Sequence, residues 1–174
     1  MISNASPLIV AAKVTLLKDI IEFYKTVEIS PQVHYEIITR GLQAQKPDAM
    51  LLSALCKEGK IKVINLDKMQ VKIARKIVDN YNIDRGEAET IALALQLHKQ
   101  KVLMDEAIGR KVAKLFSLQP QGLLRVLIEL YLHNKIDENT VKAKVNNILG
   151  MQFRLDADVL SKFWELFENV KIKK

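Results

Sequence analysis

The stretch DRGEAETIALALQLHKQKVLMD, residues 84–105, joins an amphipathic helix to a short apolar strand that ends in a carboxylate. Apolar residues recur at helical spacing from Ile91 to Leu97, and residues 101–104 are typical of a buried strand. Strands and helices alternate in the same way in both directions from this stretch. The pattern predicts βαβ units and therefore an α/β fold, in which a parallel β-sheet is sandwiched between helices as three α/β/α layers.

Upstream, two Ser–Pro pairs mark the starts of helices and so define two strand–helix units. Residues 1–4 form an opening strand, and Ser6 and Pro7 begin a helix that continues at helical spacing to Phe23. Residues 27–29 form a second strand, after which Ser30 and Pro31 begin a helix that ends at Gly41. The next predicted elements are a loop at 42–48, a helix at 49–57, a strand at 61–66 and a helix at 71–81.

Downstream, a helix at 107–116, an extended piece near Leu118 and an apolar helix at 122–133 complete the α/β domain, predicted to span residues 1–134. Residues 135–174 are predicted to be a C-terminal helical extension packed on the same domain, with helices at 137–149 and 157–170 joined through Gly150. Phe163, Trp164 and Phe167 form its packing surface. The alternative is that this surface binds a partner or a second copy.

Composition excludes several classes of protein. A chain of 174 residues suits one domain with an appendage, and no apolar run reaches the ~20 residues that span a bilayer. Cys56, the single cysteine, excludes an intramolecular disulfide and a cysteine-rich zinc site. We find no signal peptide, Gly-rich phosphate loop or nucleophile elbow, and we expect a cytoplasmic protein without a membrane segment.

The net charge of +7 and the pI of about 9.4 favour a polyanionic partner. Seven Lys and Arg residues lie between positions 57 and 76, against only Glu58 and Asp67. The alternative is that these cations are ordinary solvated helix faces.

Four polar residues lie where the chain leaves a predicted strand or begins a helix, and each also has a purely structural interpretation. Asp105 follows the strand at 101–104 but could also cap the next helix. Glu87 completes a capping-box pattern with Asp84. Glu36 could be an ordinary exposed glutamate, and Asn4 a turn residue.

Four motifs in this order resemble a known family. They are SNASPLI at 3–9, PQVHYE at 31–36, GEAETIALA at 86–94, and VLMD at 102–105 with Gly109 and Arg110. Together they resemble the PIN (PilT N-terminus) domain, and more narrowly its VapC-related prokaryotic branch with a Ser-Asn opening. The resemblance covers essentially the whole chain.

The resemblance implies hydrolysis of RNA that depends on Mg²⁺ or Mn²⁺, with carboxylates clustered at one edge of the sheet. The implied metal-site residues are Asn4, Glu36, Glu87 and Asp105. Of these, Glu36, Glu87 and Asp105 are the implied catalytic acids, while Glu89, Ser6 and Arg110 are secondary candidates. The resemblance also implies the toxin of a toxin–antitoxin pair, with RNA, a cognate antitoxin and a second copy of the chain as partners.

Two departures from the family pattern support an alternative function. Asn4 replaces an aspartate, which removes one negative charge from the expected four. The segment QGLLR at 121–125 lacks the hydroxyl side chains that the family carries there. The alternative is a catalytically weak or inactive module of the same fold that binds RNA or a protein partner.

Overall fold

A computed structural model describes residues 1–151 and 156–173, and within these ranges five short strands form one parallel sheet. The strands are β1 (Ile2–Ser3), β2 (Val27–Ile29), β3 (Ile61–Val63), β4 (Lys101–Leu103) and β5 (Gln119–Gln121). Their spatial order is β3-β2-β1-β4-β5. The connection from β3 to β4 therefore passes over β2 and β1. Helices flank the sheet on both faces. The predicted three-layer α/β fold is confirmed.

Helices connect the strands and form the C-terminal end of the chain. They are α1 (Ala5–Lys13), α2 (Leu17–Tyr24), α3 (Pro31–His34), α4 (Arg40–Gln43), α5 (Pro47–Lys57), α6 (Lys68–Tyr81), α7 (Arg85–Gln96), α8 (Ala107–Leu115), α9 (Leu123–Leu132), α10 (Glu138–Gly150) and α11 (Ala157–Lys173). A π-helical turn, Tyr35–Thr39, joins α3 to α4. No helix in the described ranges is both long and apolar enough to cross a membrane.

The sheet separates two hydrophobic clusters. One contains buried residues of α1, α2, α5, α9 and the C-terminal helices, and the other those of α6, α7 and α8. Strand β4 and the residue after it contribute to both clusters, since Val102 and Met104 pack in the second cluster while Leu103 packs in the first. This alternation follows from the two-residue period of a strand and explains why the whole apolar run is buried.

The first helical segment differs from the prediction at its start and in its middle. Helix α1 begins at Ala5 with Asn4 as its N-cap residue, so Ser6 does not cap the helix and Pro7 is its third residue. The prediction of one continuous helix to Phe23 is also wrong, because Thr15 adopts a φ of 56° and ends α1 before α2 begins. The helical period of 3.6 residues does not reveal such a break, because the apolar residues of α2 resume the same spacing.

The second unit follows the sequence signals more closely. Ser30 caps α3 by accepting a hydrogen bond from the N–H of Val33, and Pro31 is the first helical residue, as predicted. The helical path continues two residues past Gly41, and α5 begins at Pro47, so the predicted loop shrinks to three residues. The predicted strand at 61–66 ends at Val63.

The C-terminal helices contribute side chains to the first cluster. Val141, Val145 and Ile148 of α10 and Phe163 and Phe167 of α11 are buried there. The ring of Phe167 meets that of Tyr131 on α9 edge to face, with centroids 4.9 Å apart. Helix α10 ends at Gly150, and the predicted link to α11 lies partly outside the described residues. The division of the chain at residue 134 stays a prediction.

Replacing Phe167 with alanine should lower the free energy of unfolding by about 3–5 kcal/mol, because the side chain is fully buried and leaves a cavity. The measurement is urea denaturation followed by circular dichroism. Ile172→Ala is the matched control, since Ile172 lies on the same helix and is 82% exposed. Equal midpoints for the two variants would show that α11 does not stabilise the α/β domain.

Candidate functional site

The candidate site lies at the carboxyl edge of the sheet, where the neighbouring strands β1 and β4 end. The two strands run parallel, with Ile2 beside Val102 and Ser3 beside Leu103. The pairing extends one residue further, because the backbone N–H of Asn4 donates to the carbonyl of Leu103 at 2.9 Å. The strand order switches between β1 and β4, and open parallel sheets bind their ligands at such switch points.

Two polar side chains at these strand ends carry buried oxygens without hydrogen-bond partners among the described residues. One is Oδ1 of Asn4, a residue that is 4% exposed. The other is Oδ2 of Asp105, whose Oδ1 accepts a hydrogen bond from the backbone N–H of Leu123 at 2.9 Å. Burial raises the pKa of Asp105 to about 6, although that N–H and the charge of Arg110 oppose the shift.

The segment at 121–125 contacts Asp105 through its backbone. The N–H of Leu123 supplies the hydrogen bond, and a Cβ atom at Gly122 would lie 2.8 Å from Oδ1 of the carboxylate. A side chain at position 122 would therefore push the carboxylate away. The hydroxyl groups missing from this segment are not needed to orient Asp105.

Glu87 uses its two carboxylate oxygens differently. Its Oε2 accepts a hydrogen bond from the backbone N–H of Asp84 at 3.3 Å, as the capping-box pattern predicts. Its Oε1 is buried, has no partner among the described residues, and lies where a Cβ atom at Gly109 would overlap it. Burial, reinforced by the charge of Glu106, raises the pKa of Glu87 to about 7. The capping role of Glu87 therefore uses one oxygen only, and its role in a metal site stays a prediction.

Asp84 and Glu106 join Glu87, and the sequence analysis did not propose either as a site residue. One carboxylate oxygen from each of the three lies within 4.8 Å of the others, so the group can hold a metal ion. Asp84 and Glu106 are exposed and form its rim, while Glu87 is buried at its base. The sequence pattern identified Asp84 only as a helix cap. Glu106 directly follows Asp105, and this pair of adjacent acids is the sequence feature from which Glu106 could have been proposed.

Glu36 lies in the π-helical turn and faces the beginning of α7. Both of its carboxylate oxygens would be 2.8 Å from a Cβ atom at Gly86, so the glycine makes room for this acid as well. Gln32 donates to Oε1 of Glu36 at 2.9 Å. Burial raises the pKa of Glu36, and the charges of Asp84 and Glu89 add to the shift. Wide turns of this kind are frequent at functional sites.

The secondary candidates take different positions. Glu89 is buried with both oxygens engaged, one by Arg85 at 2.8 Å and the other by the backbone N–H of Gln32 at 3.1 Å. Glu89 therefore links α3 to α7. Ser6 donates to Oε1 of Glu106 at 3.2 Å. Burial raises the pKa of Asp105, and the positive charge of Arg110 partly offsets this shift.

This arrangement fits a divalent cation. Buried oxygens without partners on Asn4, Glu87 and Asp105 leave acceptor capacity that hard cations satisfy. Burial is the main cause of the raised pKa values of Glu87 and Asp105, and the charge of Glu106 adds to both shifts, which couples the acids electrostatically. The roles of the individual residues as ligands stay predictions.

Comparison with known proteins gives one match. A family model described as a PIN domain matches residues 1–169, which is nearly the whole chain. No curated protein matches, and no solved structure matches. The region matched includes all the acidic residues of the site and most of α11.

The raised pKa values predict how stability depends on pH. In the unfolded chain Glu87 and Asp105 ionise near their ordinary values of 4.5 and 3.8, whereas in the folded protein they ionise near 7 and 6. The folded state therefore binds more protons within this window, so the free energy of unfolding falls as the pH rises through it. We expect ion-free protein to melt at a lower temperature at pH ~7.5 than at pH ~5.5.

Glu87→Gln should flatten this dependence, because the amide retains an acceptor for the N–H of Asp84 but does not ionise. Thermal melts in a chelating buffer provide the measurement, and Glu58→Gln at an exposed position is the control. If the curves of Glu87→Gln and wild type stay parallel across the window, Glu87 is not a buried charge.

Proposed function

The chain belongs to the PIN-domain family, a fold of the nuclease type, and on that premise we propose that it is a divalent-metal-dependent ribonuclease. Asp84, Glu87 and Glu106 would hold the ion, with Asp105 and Glu36 beside them. Asn4 would orient a ligand or a water molecule. We also assign the chain to the VapC-related branch and infer that it is the toxin of a toxin–antitoxin pair.

The observation that carries the proposal is the buried Oε1 of Glu87. This atom has no partner among the described residues and belongs to a side chain that is 4% exposed. It lies within 4.8 Å of carboxylate oxygens from two exposed acids. A lone acidic cluster on a surface is common, but a buried, unpartnered oxygen at its base is costly unless a cation satisfies it.

The chemistry divides between the ion and the chain. A bound Mg²⁺ or Mn²⁺ lowers the pKa of a coordinated water and stabilises negative charge on a phosphate oxygen. Asp105, oriented by the N–H of Leu123, presents Oδ2 as a proton acceptor for the attacking water. Arg110 lines the same edge and supplies positive charge toward the phosphate.

The surface charge supports a polyanionic substrate. All seven cations between positions 57 and 76 are exposed, and none forms a salt bridge within the described parts of the chain. Four of them, Lys68, Lys72, Arg75 and Lys76, lie along α6 at spacings that give one helix face. Such a face attracts a phosphate backbone without reading its sequence.

Asn4 favours a second candidate function. An amide at this position contributes an oxygen but no charge, which lowers the expected metal affinity. The second candidate is therefore a catalytically weak or inactive module that binds RNA or a partner protein. A cognate antitoxin, a homodimer and a cytoplasmic location are carried over from the family resemblance and stay predictions.

Asp105→Asn should reduce metal-dependent RNA cleavage by about 10²-fold or more, because the amide cannot accept a proton. The measurement is cleavage of labelled RNA during titration with Mg²⁺ and with Mn²⁺. Asp79→Asn, at an exposed position of α6, is the matched control. Equal rates for Asp105→Asn and wild type would remove Asp105 from the mechanism. RNA binding without cleavage by the wild type would support the inactive module.

Asn4→Asp should strengthen Mn²⁺ binding by about tenfold, since ligand charge sets the affinity of oxygen sites. Without the ion, the same change should lower the melting temperature, because it adds a buried negative charge. Isothermal titration calorimetry and thermal melts measure the two effects, with Asn147→Asp on the exposed face of α10 as control. Unchanged affinity would mean that residue 4 does not contact the ion.

A further inference from the structure

A cavity of about 600 Å³ opens directly beside the acidic site. Asp105 and Glu106 line it, and most of the other lining residues belong to helices α8, α9 and α11. Its volume lies within the range of ordinary small-ligand pockets. Since Asp105 and Glu106 belong to both the acidic site and the lining of the cavity, the two sites adjoin.

The floor and one wall of this cavity are apolar. Leu124 and Ile128 of α9 and Phe163 of α11 are buried beneath it. Val159 and Leu166 of α11 line it while remaining 43% and 39% exposed. Exposed apolar side chains that converge on a concave surface indicate a site for a ligand with an apolar face.

Three cations line the cavity as well, namely Arg110, Arg125 and Lys162. Within residues 1–151 and 156–173, none of the three forms a salt bridge. Arg125 and Lys162 are exposed, and so is Asp156, a further carboxylate of the lining. The cavity thus combines apolar side chains with three cations outside any salt bridge and three carboxylates, and it lies against a site suited to a metal-bound phosphate.

We propose that this cavity binds one unpaired nucleobase of an RNA strand, that of the nucleotide next to the phosphate held at the acidic site. This inference rests on the proposed function and adds to it a place for the base, in a cavity that adjoins the acids that hold the phosphate. Arg110, Arg125 and Lys162 contact the neighbouring phosphates, and the apolar wall covers the face of the base.

The combination of an apolar wall, cations and a neighbouring phosphate site fits a nucleotide. A nucleotide presents an apolar base face within one backbone unit of a charged phosphate, which matches an apolar wall between cations and a phosphate site. A base inside a duplex is stacked and paired, so it cannot enter the cavity, whereas a base in a loop or a single strand can turn out of the chain. Recognition by such a cavity therefore excludes double-stranded RNA.

Filling the cavity tests the proposal. Val159→Trp and Leu166→Trp should each weaken binding of a short unstructured RNA by about tenfold, the scale of losing the contacts of one base. Ile172→Trp, at an exposed position of the same helix, should bind as wild type does. Binding is followed by fluorescence anisotropy in a chelating buffer, and circular dichroism verifies the fold of each variant.

A second measurement probes the base itself. Abasic nucleotides are introduced one at a time along an RNA that the wild type cleaves at one position in Mn²⁺. We expect one position, next to the cleaved bond, at which the abasic nucleotide weakens wild-type binding by about tenfold and has no further effect on Leu166→Trp. Uniform behaviour at all positions, with cleavage retained, would overturn the base pocket and leave the ribonuclease intact.

The remaining outcomes are also decisive. If the wild type neither binds nor cleaves RNA, the proposed function and the base pocket both fail. If the tryptophan variants bind RNA normally but change the sedimentation of the protein, the cavity is an interface between copies of the chain. If they bind RNA normally and lose an acidic protein partner instead, the cavity is a protein-docking site. Either result overturns the base pocket.

Discussion

Negative charge buried where β1 and β4 end is the constraint on which the functional part of this molecule depends. Glu87 and Asp105 lie below the surface with pKa values raised to about 7 and 6, and Glu106 opposes the ionisation of both. The fold tolerates this unfavourable charge because apolar packing on the two faces of the sheet holds the strand ends in place. A protein with a net charge of +7 therefore keeps an acidic centre at one edge, which suits a site where a cation mediates contact with an anion.

Glu87 illustrates how one side chain serves both fold and site. One oxygen satisfies the N–H of Asp84 at the start of α7, and the other remains unpartnered at the base of the acidic group. The cap fixes the direction in which the second oxygen points, so helix formation and site geometry are coupled. The same principle holds for Asp105, where the N–H of Leu123 binds one oxygen and leaves the other unpartnered.

Local signals in the sequence predicted most of the fold. Strand β2 and the start of α3 agree with the prediction because Ser30 and Pro31 act within a few residues of each other. The break at Thr15 and the π-helical turn were missed, since neither changes the apolar period enough to be recognised. Candidate acids were proposed from their positions after strands or at helix starts and from the family resemblance. Asp84 and Glu106 join Glu87 because the fold brings α7 and α8 together. That spatial order is not encoded in any single stretch.

Three glycines each border a different acid of the site: Gly86 faces Glu36, Gly109 faces Glu87, and Gly122 faces Asp105. A methyl group at position 86 or 122 would meet the carboxylate end of a side chain, whereas at position 109 it would also meet Sδ of the buried Met104 at 2.8 Å. At positions 86 and 122, displacement of an acid of the site is therefore separable from disruption of the core by a single codon change. A lineage carrying such a change would keep a positively charged protein of the same fold in which one acid of the site is displaced.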